Sequence, residues 1–181
     1  MTGSAARTAT LVLMGVTGVG KTTIMTSLAE RLGWPTAEGD GFHSPENVAR
    51  MRSGEPLTDD DRRPWLAAIS AWIGEREAAN GGAGENALVT CSALKRSYRD
   101  LLRRGHPSVW FVHLVAPVPT LDWRLRERQG HYMPRALLGS QLEILEPLGV
   151  DEPGTVVPTD AITDEIVAAI LSLLEARGAS A

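Results

Sequence analysis

Residues 15–22 of this chain read GVTGVGKT, and this stretch decides the fold. It matches the pattern of a phosphate-binding loop, G-x4-G-K-[ST], in which glycines let successive backbone N–H groups point at phosphate oxygens. The apolar run before it, 10–14, predicts a buried strand, and the run after it, 23–32, predicts a helix. Because the motif requires a strand–loop–helix context, the sequence predicts a nucleotide-binding α/β protein.

The positions of the loop predict separate tasks in binding ATP and Mg²⁺. Lys21 is expected to reach the β- and γ-phosphates, and the Thr22 hydroxyl is expected to ligate Mg²⁺. The loop by itself does not identify the group that accepts the phosphate. The residues expected to contact the nucleotide are Gly15, Val16, Thr17, Gly18, Val19, Gly20, Lys21, Thr22 and Thr23.

The rest of the chain alternates short apolar runs with longer amphipathic runs, which predicts βα units around a central parallel sheet. Further strands are expected at 36–40, 87–91, 109–115 and 155–157, and further helices from Ser44 and at 95–104, 119–128, 140–146 and 162–174. No repeat or low-complexity linker divides the sequence. We therefore expect residues 1–181 to form a single domain, with its core at 10–80 and 87–175 and a lid at about 124–139.

One more helix is predicted by Trp65, Ile69, Trp72 and Ile73, which recur at helical spacing. We favour Asp61 as its N-cap because this start keeps Pro64 in the first turn, where the missing N–H costs little. A start at Thr58 would bury Pro64 deeper in the helix. Both tryptophans are expected in the core.

Composition narrows the class of protein. The chain has 181 residues, 43% of them hydrophobic, which is typical of a soluble globular protein. A formal net charge of −4 gives no reason to expect nucleic-acid binding. No apolar run has the length of a signal peptide or a membrane span. Because the single cysteine, Cys91, also suits a reducing compartment, we expect a cytoplasmic protein without a membrane partner.

A second group of candidate site residues follows the second predicted strand, where residues 38–43 read EGDGFH. In open α/β sheets, ligands bind at the carboxyl ends of the strands. One carboxylate is expected to hold or deprotonate an acceptor hydroxyl, and beside a phosphate loop we favour Asp40 for this role. Glu38 is then a candidate to support Mg²⁺ through water. His43 alone would more often be structural, but together with Asp40 it is a candidate to bind the acceptor.

Five segments of the chain resemble gluconokinases of the thermoresistant type, in the order found in that family. They are GVTGVGKT at 15–22, GDGFH at 39–43, SGEPLTDDDR at 53–62, CSALK at 91–95 with YRD at 98–100, and GH at 130–131. The resemblance covers about residues 10–175. It implies transfer of the ATP γ-phosphate to the 6-hydroxyl of D-gluconate, a nucleoside-monophosphate-kinase-like three-layer fold with a short lid, and a homodimer.

Gluconate is an anion, so cationic side chains are candidates to bind it. Lys95 and Arg99 stand four residues apart and share one face of a predicted helix. Spacing alone favours a solvated basic face, whereas the family-specific blocks favour substrate binding. Arg50 and Arg62 are further candidates on the acceptor side.

Arg124 and Arg128, also four residues apart, precede the irregular segment 129–134. Arginines stabilise the charge that develops on a phosphoryl group during transfer, so both are catalytic candidates together with Lys21 and Asp40. The alternative is a solvent-facing amphipathic helix. The family resemblance suggests that His131 contacts gluconate, and Gln141 is a further acceptor candidate.

Two other functions remain open from the residues alone. Another small-acceptor kinase, such as a shikimate or adenylate kinase, would share the phosphate loop. A regulator that binds ATP without an acceptor would also share it, but the cluster at 40–43 and the basic pair Lys95/Arg99 argue against that function.

Overall fold

A computed structural model describes residues 8–127 and 136–178. Five strands form one sheet: β1 Thr10–Met14, β2 Thr36–Glu38, β3 Ala87–Thr90, β4 Val109–Val115 and β5 Gly154–Pro158. Seven α-helices lie within the described residues: α1 Lys21–Leu32, α2 Pro45–Arg52, α3 Asp59–Ala78, α4 Arg96–Arg103, α5 Val118–Glu127, α6 Ala136–Ile144 and α7 Thr163–Ala176. The strand order is β2-β3-β1-β4-β5, and every neighbouring pair is parallel. The predicted α/β fold is confirmed.

The sheet is the middle of three layers because both of its faces are apolar. Along β1, Leu11 and Leu13 belong to one hydrophobic cluster, and Val12 and Met14 belong to another. Buried residues of α1 and α7 complete the first cluster, and buried residues of α3 and α4 complete the second. This alternation follows the two-residue period of a strand that is covered on both sides. Trp65 lies in the second cluster at 2% exposure, as expected.

The start of α3 differs from the expectation. Thr58, not Asp61, is the N-cap: the Thr58 hydroxyl accepts the Asp61 N–H at 3.2 Å, and the Asp61 carboxylate accepts the Thr58 N–H at 2.8 Å. This reciprocal capping box satisfies two N–H groups at once and outweighs the position of Pro64 inside the helix. The hydrogen bond that Pro64 cannot make would have gone to the carbonyl of Asp60, which is an exposed residue.

Other boundaries also differ from the predicted ones, and two of them bear on the site. β2 ends at Glu38, because residues 39–42 turn into a 3-10 helix instead of continuing the strand. α6 begins at Ala136, not at Ser140, because Leu137 and Leu138 in its first turn are buried in two separate clusters.

The middle of the expected lid, residues 128–135, lies outside the described residues, and Arg128 and His131 lie there. Of the helices that are described, none has the length and apolar character needed to cross a membrane.

Candidate active site

The phosphate loop joins β1 to α1 through backbone conformations that favour glycine. Gly15 has φ 137° and Gly20 has φ 104°. A Cβ on Gly15 would lie 2.6 Å from the carbonyl oxygen of Leu114, so a larger residue does not fit there. Gly20 caps α1 without a side-chain hydrogen bond, which leaves the first-turn N–H groups of the helix directed at an anion site. The predicted strand–loop–helix arrangement is confirmed.

Lys21 folds over this loop. Its Nζ donates hydrogen bonds to the carbonyl oxygens of Gly15 at 2.9 Å and Val16 at 3.0 Å. These contacts hold the ammonium group beside the glycine-rich turn, where the phosphates of a nucleotide bind in loops of this kind.

A cavity of about 490 Å³ opens beside the loop, at the carboxyl end of the sheet. This volume is within the range of small-ligand sites. Seven of the residues singled out in the sequence as acceptor, metal or catalytic candidates line it: Lys21, Thr22, Glu38, Asp40, His43, Arg62 and Gln141. The structure therefore brings the phosphate loop and the segment after β2 to one site.

Gly39 fixes the position of the acidic segment. Its N–H donates to the Thr90 hydroxyl at 3.1 Å, and its carbonyl accepts the indole N–H of Trp65 at 2.6 Å. A Cβ on Gly39 would lie 2.0 Å from the Thr90 carbonyl oxygen, so the close approach requires glycine. Neither Gly39 nor Thr90 was predicted as a site residue, although the glycine between Glu38 and Asp40, directly after a strand, was the available signal.

Glu38 is oriented by the neighbouring strand. It stands opposite Thr90 in the β2–β3 register, and the Thr90 hydroxyl donates to its carboxylate at 2.5 Å. Within the described residues, no cluster of three or more His, Cys, Asp or Glu side chains is placed to hold a metal ion.

His43 is held as a neutral ring. It stacks on Trp65 with the ring centroids 4.3 Å apart and an angle of 12° between the planes. The pKa of His43 is lowered to about 4, chiefly by burial; the negative charge of Asp40 opposes this shift, and the positive charge of Arg62 adds to it. Its buried Nδ1 has no hydrogen-bond partner among the residues that the structure describes. A polar ligand in the cavity would supply one.

Arg62 is a buried cation at the same cavity. It is 8% exposed, and its guanidinium lies 5.8 Å from the centre of the Tyr98 ring. Its Nε has no hydrogen-bond partner in the described part of the chain, and no ion pair to Arg62 occurs there. A buried guanidinium without a carboxylate partner favours an anionic ligand.

The expectation for Arg99 is wrong. Its side chain is completely buried and forms a two-point ion pair with Glu152, Nε–Oε1 2.6 Å and Nη2–Oε2 2.8 Å. It also donates to the carbonyls of Ala93, Leu94, Glu146 and Pro147. Because these acceptors occupy the guanidinium, Arg99 fixes the loop before β5 and does not face a substrate.

Lys95 and Arg50 are not among the residues that line the cavity. The Lys95 ammonium contacts both carboxylate oxygens of Asp59, at 2.8 and 2.9 Å. Arg50 pairs with Glu55 and Asp61, both at 2.8 Å. Neither arrangement resembles the unpaired state of Arg62, so these two cations are weaker candidates than the sequence indicated.

Arg124 borders a second cavity, of about 310 Å³, on the other side of the loop glycines. Its guanidinium donates to the Val19 carbonyl at 3.3 Å and to the Thr159 hydroxyl at 3.1 Å. Arg124 thus joins the phosphate loop to the end of β5. The catalytic role of Arg124 stays a prediction.

Gln141 touches the phosphate loop directly. Its side-chain Oε1 accepts the N–H of Thr17 at 2.7 Å, and both residues are buried. The sequence analysis placed Gln141 at the acceptor, and the structure adds this contact to the loop.

A phosphate loop that shares a cavity with a carboxylate and an unpaired arginine defines a P-loop phosphotransferase. The chain matches the family model described as an AAA domain over residues 11–148. It is 52% identical over 143 residues to a gluconokinase of Gluconobacter oxydans, covering 79% of this chain and 78% of that one. It is 38% identical to the thermoresistant gluconokinase of Escherichia coli, covering 91% and 92%.

A solved gluconokinase structure from Sinorhizobium meliloti superimposes with a TM-score of 0.82 at 42% identity, covering 95% of both chains. The chain belongs to the gluconokinase family.

Proposed function

We propose that this protein transfers the γ-phosphate of ATP to the 6-hydroxyl of D-gluconate and forms 6-phospho-D-gluconate and ADP. The observation that carries the proposal is the cavity in which Asp40 and the unpaired Arg62 share a lining with the phosphate loop. The family relationship supports the same acceptor.

In this reaction the acceptor oxygen attacks the γ-phosphorus while the bond from that phosphorus to the ADP oxygen breaks. The loop N–H groups and Lys21 hold the phosphates and balance their charge. Asp40 accepts the proton that leaves the 6-hydroxyl. Arg62 binds the carboxylate of gluconate, because a guanidinium matches a carboxylate in shape and charge. The neutral ring of His43 is suited to hydrogen-bond an acceptor hydroxyl.

The residues present fit Mg²⁺. This ion keeps several waters and takes few protein ligands, so a hydroxyl and one or two carboxylates suffice beside the phosphates. Thr22 would bind it directly, and Glu38, oriented by Thr90, would bind it through water. Bound Mg²⁺ would neutralise part of the phosphate charge.

Five further parts of the proposal rest on the sequence and the resemblance. Arg128 assists phosphoryl transfer and His131 contacts gluconate. The chain folds as a single domain, and the enzyme works as a homodimer in the cytoplasm. Light scattering on the purified protein tests the dimer, and a monomeric mass would contradict it.

The acceptor is tested by measuring ADP release with gluconate, shikimate or AMP as the second substrate. We expect ADP release that depends on gluconate, with one 6-phospho-D-gluconate formed per ADP. Turnover with shikimate or AMP instead would identify another small-acceptor kinase. ATP binding that gluconate does not affect, without a phosphorylated product, would indicate a regulator.

The role of Asp40 is tested by Asp40→Asn, which keeps the shape of the side chain but removes the base. We expect kcat to fall by roughly 100- to 10,000-fold, the range of general acid–base catalysis, with little change in ATP affinity. Asp60→Asn, on the exposed start of α3, is the matched control and should leave kcat unchanged. Near-normal kcat in the Asp40 variant would exclude this residue as the base.

The role of Arg62 is tested by Arg62→Met with gluconate and with its uncharged amide, gluconamide. A lost charged hydrogen bond of about 1.5–3 kcal/mol predicts an increase of roughly 10- to 100-fold in KM for gluconate. The increase in KM for gluconamide should be much smaller, since gluconamide has no carboxylate. The exposed neighbour Arg63 provides the control Arg63→Met. An equal increase in KM for both acceptors would show that Arg62 does not bind the carboxylate.

A further inference from the structure

α6 connects the two halves of the cavity through two of its side chains. Leu137 forms a small buried cluster with Met51 and Leu57, which line the acceptor side. One turn later, Gln141 accepts the Thr17 N–H of the phosphate loop, across 124 positions of sequence. The helix therefore packs on the acceptor wall at one point and on the nucleotide loop at another.

The hydrogen bond from Thr17 to Gln141 is a strong restraint on the loop. Its length is 2.7 Å, and Thr17 and Gln141 are 8% and 7% exposed, so little water competes for either group. Thr17 lies between Gly15 and Gly18, which both have positive φ, in a stretch without regular secondary structure. Glycines leave such a turn conformational freedom, so one fixed N–H does much to set its shape.

We infer that Gln141 is a positioning residue that couples the acceptor wall to the phosphate loop. It holds the Thr17 N–H so that the γ-phosphate lies in line with the acceptor hydroxyl when both substrates are bound. This inference rests on the proposed function, because the coupling matters only if the loop and the wall serve two substrates of one reaction. It differs from a ligand role, in which Gln141 would hold gluconate itself.

The test compares Gln141→Met, which keeps the length of the side chain but removes the acceptor, with Gln141→Glu, which keeps an acceptor. Glu143→Gln, on the exposed side of the same helix, is the control. The first measurement is the hydrogen–deuterium exchange of the Thr17 amide. We expect at least tenfold faster exchange in the methionine variant and near-normal protection in the glutamate and control variants. Unchanged exchange in the methionine variant would overturn the inference whatever the enzyme's acceptor is.

The second measurement is turnover with gluconate. Because a misplacement of about 1 Å can cost 100-fold, we expect kcat of Gln141→Met to fall by roughly 10- to 100-fold. KM for gluconate should stay within about threefold, and more than one ADP should form per product, since a misaligned phosphate is open to water. An increase in KM with unchanged kcat would show a ligand role, and a lower Tm with normal kinetics would show a structural one; both overturn the inference.

The wild-type enzyme separates the two proposals. If it forms no product from gluconate, the proposed function fails and the coupling fails with it; the exchange measurement then decides only whether Gln141 restrains the loop. If it forms product and Gln141→Met matches it in kcat and in ADP per product, only the coupling fails.

Discussion

Single residues at the acceptor segment are fixed by contacts from two layers of the fold. Gly39 is held by Thr90 of the sheet and by Trp65 of α3, and this places Asp40 at the cavity. Because no Cβ fits at Gly39, only glycine lets the segment come close enough to β3 to make both contacts. The base of the proposed reaction is therefore pre-positioned, which reduces the reorganisation needed for transfer.

At the scale of the residue, the lowered pKa of His43 predicts how the stability of the protein depends on pH. Its pKa of about 4 in the folded state lies below the ordinary value of 6.5, so between these values the unfolded chain binds more protons. The stability that the neutral ring contributes is complete above pH 6.5 and is lost as the pH falls towards 4. The measurement is urea unfolding at pH 7 and at pH 4.5. Between these two pH values the free energy of unfolding should fall by on the order of 1 kcal/mol more for wild type than for His43→Asn, after allowance for partial solvent exposure. An equal decrease in the free energy of unfolding of the two proteins would contradict the lowered pKa of His43.

At the scale of elements, the start of α3 shows how a cap and a site residue are linked. The capping box of Thr58 and Asp61 fixes the first turn, and Arg62 follows directly in the chain. The sequence analysis gave priority to the position of Pro64 and placed the start three residues too late. A proline penalty is a local rule, and here two well-formed hydrogen bonds outweigh it.

Thr58→Ala removes half of this capping box. We expect the free energy of unfolding to fall by about 1 kcal/mol, because an N-cap hydroxyl contributes that much on average. Urea unfolding measures it. Ser172→Ala, at an exposed position inside α7, is the control and should have little effect or a small stabilising one. A loss no larger than that of the control would show that the box contributes little.

At the scale of the whole molecule, one buried ion pair ties distant parts of the chain together. Arg99 of α4 reaches Glu152 and the carbonyls of the loop before β5, so the ligand end of β3 and the last strand are fixed to one guanidinium. No spacing rule could have shown this, because the partner lies 53 positions away. The same holds for Gln141 and Thr17. By contrast, the phosphate loop and the segment 38–43 are each one continuous stretch of sequence, and both were predicted as parts of the site.

Glu152→Gln tests the contribution of this buried ion pair to stability. It keeps the shape of the side chain but leaves the Arg99 guanidinium buried without a countercharge, which typically costs about 3–5 kcal/mol. We expect a large decrease in the free energy of unfolding, measured by urea at pH 7. Asp151→Asn is the matched control, since Asp151 forms an exposed ion pair with Arg96 and should matter little. Similar effects of the two substitutions would show that the buried pair has no special role.

The stack of His43 on Trp65 also gives the molecule an optical property. The emission of an indole ring depends on the polarity around it and on the groups that touch it. Trp65 is 2% exposed and meets the acceptor segment on two sides, through its ring face and its N–H, whereas Trp123 is 61% exposed beside the second cavity. The acceptor segment and the second cavity thus have tryptophans in different surroundings, and in variants that keep only Trp65 or only Trp123 of the five tryptophans, the emission would report on the acceptor segment or on the nucleotide separately.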